Sequence, residues 1–206
     1  MKLPTPTSGS FEKCPPGNHL ATCYEVIDLG TQTIESKQYG TNTRHQIWIG
    51  WEIPNETMED GRPFVIGRKY TFSMSDKSAF RKHLESWRGK PFSDADYETF
   101  LVENLIGAGC FLNVVHSTNG DKTYANIEAV AALPKGTKAA ELINDRVFFS
   151  LDPDEFDQDV FNGLSEYFQG LIQQSPEWQA LKGKKPMIER VTVPAEPSGH
   201  DDETPF

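Results

Sequence analysis

Asp201, Asp202, Glu203, Thr204, Pro205 and Phe206 set three acidic side chains and a proline beside a terminal aromatic ring. Such a ring can enter a pocket while carboxylates pair with Lys or Arg on its rim, a mode of acidic and C-terminal capture. Partner binding is therefore assigned to Asp201, Asp202, Glu203, Pro205 and Phe206. A second group of residues suits a polynucleotide. Tyr39 and Arg44 flank a polar loop, Trp48 alternates with Ile47 and Ile49, Lys69 faces outward on a following strand, and Tyr124 shares the parity of Asn126. Rings stack on bases for roughly 1 to 3 kcal/mol each while Lys and Arg meet the phosphates. These five residues form the expected DNA-binding set. Trp48 also has a structural alternative, packing under a C-terminal helix.

Catalytic patterns are incomplete. Gly107-Ala108-Gly109 supplies a G-x-G, but Leu112 stands where the dinucleotide fingerprint needs its third glycine. Asp152, Asp154, Asp157 and Asp159 are dense enough to suggest a divalent cation, yet the glycine and spaced glutamate of a calcium loop are missing. A solvated helix start explains them more economically. His19, His45, His83, His116 and His200 have no local zinc spacing, and Cys14 with Cys23 lacks a second ligand pair. The expectation is a binding protein without cofactor or metal. A metal-dependent nuclease whose carboxylates converge only in the fold is the enzymatic alternative.

Composition fits a one-core chain with appendages. The 206 residues are 37% hydrophobic yet include 13 Phe, 6 Tyr and 4 Trp. The net charge of -10 is unevenly spread: residues 1–136 carry 14 basic and 16 acidic side chains, or -2, whereas residues 137–206 carry 6 and 14, or -8. A nearly neutral front segment can hold a local basic groove for a phosphate backbone. Three cysteines without metal-type spacing suggest buried thiols in a reducing cytoplasm. No signal-peptide pattern and no bilayer-length apolar run are found.

The elements that must position these residues are strands, then helices. Residues 1–17 read as a flexible leader. Strands are expected over 18–28, with a continuation at 33–38, then 44–53, where Ile47, Ile49, Trp51 and Ile53 share a face, and 64–74. Ser75 and Ser93 are expected to cap helices over 76–88 and 94–106. Strands over 110–117 and 122–132 follow, joined at Asn119-Gly120. Three strands, a helical insert and two strands give a mainly β expectation: a five-stranded OB-fold barrel over 18–136, with a mixed α+β sheet as the alternative. A helical extension over 137–191 contains helices at 155–173, capped by Asp154, and at 176–183. An acidic flexible tail, 192–206, carries the partner-binding tip.

The tip resembles the acidic Asp-Asp-Asp-Ile-Pro-Phe end of bacterial single-stranded DNA-binding proteins, with Glu203 and Thr204 as its departures. His19-Leu20-Ala21-Thr22-Cys23-Tyr24, Trp51-Glu52-Ile53-Pro54 and Leu84-Glu85-Ser86-Trp87-Arg88-Gly89-Lys90 resemble phage-encoded single-stranded DNA-binding proteins of OB-fold type. The resemblance implies protection of single-stranded DNA in phage replication, recombination or repair, recruitment of partner enzymes through the tip, and a place in the cytoplasm of a bacterial host. It leaves a homo-oligomer open. The competing expectation is an interaction or inhibitor protein that targets host replication or defence proteins without binding DNA.

Overall fold

The computed structural model describes residues 12–36 and 40–183. Tyr39 and the whole 201–206 tip lie outside these residues, as do the leader through residue 11, residues 184–191 of the expected helical extension and the 192–206 tail. Among the described residues six strands and five helices are laid out in the order β1 (Gly17–Ser36), β2 (Gly40–Thr57), β3 (Pro63–Thr71), α1 (Ala79–Arg88), α2 (Asp94–Thr99), β4 (Gly109–Asn119), β5 (Lys122–Ala131), β6 (Val147–Phe149), α3 (Gln158–Gly163), α4 (Glu166–Gln173) and α5 (Pro176–Gly183). A 3-10 turn at Val102–Leu105 leads from α2 towards β4.

The sheet order is β3-β2-β1-β4-β5, antiparallel throughout, and β6 adds to β1 in parallel. This corrects the expected mainly β, closed five-stranded OB barrel: the chain is a mixed α/β fold built on an open sheet. Closure requires a backbone ladder between the two outer strands, and among the described residues none joins β3 to β5. The edges approach each other, but the link across them is a side chain, with Arg68 Nη1 donating to the Ile127 carbonyl at 2.6 Å. The resemblance to OB-type phage DNA-binding proteins falls with the barrel, and so do the replication, recombination and repair labels drawn from it.

Alternation in β2 explains the first core. Ile47, Ile49, Trp51 and Ile53 are all buried, as period-two patterning requires, and meet Cys23, Val26, Leu112, Val114, Ile127 and Val130 from the neighbouring strands. α1 closes this core through Phe80, Leu84 and Trp87. Its N-cap is Ser78 rather than Ser75, because the Ser78 side chain accepts the Phe80 N–H. α2 has the expected Ser93 cap in a reciprocal capping box with Asp96, but it lasts only six residues.

β1 is longer than its sequence suggests because two irregularities absorb the break expected between residues 28 and 33. Its pairing with β2 slips between Cys23 and Glu25 and again between Asp28 and Gly30. Gly30 sits at φ +67, where a side chain is strained. β4 leaves β1 after the Thr22–Gly109 pair, so the edge at residues 25–27 is open, and β6 fills it. A second core forms there: Ile27, Leu29, Phe149, Leu151, Phe161, Leu164, Ile172 and Trp178 are buried together. The single helix expected at 155–173 is two helices, since Asp157, not Asp154, caps α3 and Ser165 recaps the chain as α4. Residues 147–183 therefore cover the face of β1 and β2 opposite the first core.

Among the described residues no helix is long and apolar enough to cross a membrane, which says nothing of crossing with strands. Cys14, Cys23 and Cys110 are free and buried. Burial, with Glu56 adding to it, pushes the Cys14 thiol up to about 12.

Candidate nucleic-acid interface

β3 lies between two depressions. The first, about 370 Å³, sits where β2, β3 and the start of α1 converge, and Arg44, Arg68, Lys69 and Lys77 line it with the hydroxyl residues Thr71, Ser73, Ser75 and Ser78. Local folding brings these cations together. Lys69 pairs with Trp48 in the β2–β3 ladder, and the Phe72 N–H donates to the His45 carbonyl, which holds the chain after β3 beside Arg44. Ser78 then starts α1 immediately after Lys77. Among the described residues no carboxylate lines this cleft. The nearest acid in sequence, Asp76, pairs instead with Arg81.

The second depression, about 300 Å³, has Trp48 and Tyr24 as its aromatic walls, with Glu12, Lys13, Val65, Gly67 and Ala125 around them. Gly67 permits the approach: a Cβ there would stand 2.1 Å from Trp48 Cζ2, so a strand residue that packs nothing of its own makes room for the indole. Trp48 Nε1 donates to Glu25 Oε2 at 2.8 Å. Burial raises the Glu25 carboxyl above its ordinary range, and the bonds from Trp48 and Tyr24 pull against that rise. Across the indole, Phe168 of α4 stands at 5.2 Å between ring centroids. Trp48 is thus half-buried by α4, the packing role its sequence left open, while part of it still faces the depression.

The expected DNA-binding residues divide accordingly. Arg44 and Lys69 share the cationic cleft and Trp48 lines its neighbour. Lys69 is also held by α4, donating to the Tyr167 hydroxyl at 3.1 Å and lying over that ring. Tyr124 is 48% exposed but lines neither depression. Its neighbour Ala125 lines the second, and successive strand residues point to opposite faces. Tyr39 cannot be placed, being outside the described residues. Sequence reasoning missed Lys77, Arg68, Tyr24 and Gly67 as parts of this surface. The glycine inside β3 was the one legible signal, because strand-interior glycines mark close approaches.

The aspartate cluster does local structural work. Asp152 accepts the Asp154 N–H, and Asp157 accepts those of Asp159 and Val160 at the start of α3. Among the described residues no group of three or more His, Cys, Asp or Glu is arranged to hold a metal ion. The chain matches no family model and no curated protein.

Proposed function

We propose that the chain binds single-stranded nucleic acid along β3, with phosphates in the cleft of Arg44, Arg68, Lys69 and Lys77 and an unpaired base against Trp48 and Tyr24. The observation that carries this reading is the cleft itself: among the described residues four cations and no carboxylate line it, in a chain whose net charge is -10. Local concentration of positive charge against the overall balance is what a phosphate backbone requires. The neighbouring aromatic walls favour single strands, since rings stack only on bases released from pairing. The reading rests on surface chemistry and not on a barrel. The acidic 201–206 segment is the proposed recruitment element for partner enzymes, and the cytoplasm of a bacterial host is the proposed setting.

Arg44 and Lys77 are exposed, so Arg44→Ala and Lys77→Ala test the cleft without disturbing a core. Each should weaken binding of a mixed-sequence oligonucleotide, and each should lower the slope of log affinity against log salt by about 0.7, the single-strand value per phosphate contact. Unchanged affinity and slope in the double variant would remove the proposal.

A further inference from the structure

Another cavity lies elsewhere and has the opposite electrostatic character. It measures about 460 Å³ and opens between the His45 end of β2, the 3-10 turn and the segment after β6. Its apolar surface comes from Ile47, Phe72, Phe100, Leu101, Phe148 and Leu151. Two of these are unusually open for their size, Phe72 at 43% and Leu101 at 59% exposure. Together they give the cavity an exposed apolar mouth.

The polar rim is acidic: Asp28, Glu103, Asp152, Glu155 and Glu177 line the cavity, and among the described residues His45 is the only basic side chain with them. Asp28 and Glu177 are committed internally. Asp28 meets His45 at 2.6 Å, and Glu177 takes the Thr31 N–H and hydroxyl. Asp152 and Glu155 are exposed, and among the described residues neither pairs with a cation. Glu103 also borders a separate cleft that contains Arg146, so the unopposed charge belongs chiefly to Asp152 and Glu155.

We infer that this cavity docks a basic peptide segment of a partner protein, an apolar or aromatic side chain entering over Phe72 and Leu101 while flanking Lys or Arg pairs with Asp152 and Glu155. Charge selects the occupant. Phosphates are repelled from this rim, whereas a cationic segment gains both apolar burial and opposite charge. A cavity of this size takes one or two side chains, the anchor-in-pocket arrangement that concentrates binding energy. The cationic cleft and this cavity are lined by different residues, so failure of the nucleic-acid reading leaves this one standing.

The test uses the full chain and three synthetic probes: Lys-Leu-Lys-Phe-Arg, a Lys-Ser-Lys-Ser-Arg control of equal charge, and a Glu-Leu-Glu-Phe-Glu control of opposite charge. Fluorescence anisotropy should show the first binding at least tenfold tighter than either control. Amide shift changes should centre on Phe72, Leu101, Phe148 and Leu151. Asp152→Asn with Glu155→Gln should weaken binding at least threefold at low salt. The Asn side chain keeps the oxygen that accepts the Asp154 N–H, and both sites are exposed, so the variant should keep its fold. Leu101→Ser supplies the apolar arm and should weaken the first probe but not the Ser-containing one. Equal binding of the two basic probes would reduce the effect to general attraction by an acidic protein and overturn the proposal. So would shifts spread over the surface, or full affinity in the charge variant.

Discussion

Trp48→Phe separates the packing role of this indole from its surface role, because it keeps a ring against Phe168 and removes one donor. In the wild type Nε1 bonds Glu25 Oε2 at 2.8 Å, in a site where burial raises the Glu25 carboxyl above its ordinary value of 4.5. A hydrogen bond to a charged group contributes about 1.5 to 3 kcal/mol. Glu25 is not sealed from solvent and keeps its bond from Tyr24, so the lower end of that range applies. The smaller ring also leaves a void beside Gly67, costing about 1 kcal/mol more. Together the substitution should cost about 2 to 3 kcal/mol near neutral pH. The sign of the pH dependence follows from the raised pKa. The folded state holds the Glu25 proton more tightly than the unfolded chain, so this group's contribution to stability falls as pH rises from about 4.5 through the folded value. Removing the Trp48 donor raises that folded value further. The penalty should therefore grow across the same window and shrink to about 1 kcal/mol where Glu25 is protonated. Urea unfolding of both proteins at about pH 4 and pH 8 measures the difference. A penalty independent of pH would refute the assignment of Trp48 as the donor that stabilises the ionised carboxylate.

Glu52 has no exposed surface, and its oxygens accept the Ile143 and Asn144 backbone N–H groups at 2.8 Å each. Glu52→Gln turns one acceptor into a donor and should cost about 2 to 4 kcal/mol, with the largest gain in amide exchange at residues 143 and 144. Gly30→Ala should destabilise by about 2 kcal/mol or more, because Gly30 is at φ +67 and a Cβ would stand 2.6 Å from the Ser175 side chain; calorimetry measures it. Asp28 foremost, with Glu177 assisting, raises His45 above its ordinary 6.5, so the charged ring stabilises the fold fully below about 6.5 and that contribution is lost as pH rises through the folded value. His45→Gln should flatten the stability profile over that window, as followed by thermal melts in buffers of increasing pH.

How much was legible in the chain depended on the range of the interaction. The alternation of Ile47, Ile49, Trp51 and Ile53 specified β2 locally, as Asn119-Gly120 specified the β4–β5 turn. Strand order did not determine closure, because whether β3 meets β5 by backbone or by the Arg68 side chain depends on residues 59 positions apart. β6 was missed because Val147–Phe149 carries no pattern of its own and is fixed by the edge that β4 leaves open on β1. In the candidate site, charge type was readable, and Arg44 and Lys69 do line one cleft. Lys77 joins them only through the turn that leads from β3 into α1. Phe72 lies within the strand expected over 64–74 but follows the end of β3, and it is 43% exposed at the mouth of the acidic cavity.

The most direct test of nucleic-acid binding is fluorescence anisotropy of the full chain titrated against one mixed-sequence oligonucleotide of about 30 residues, single-stranded and as its duplex, over a series of salt concentrations. The account predicts tighter binding of the single strand, with log affinity falling linearly against log salt by about 0.7 for each phosphate held. Equal or stronger binding of the duplex, or no binding to either at low salt, would contradict it.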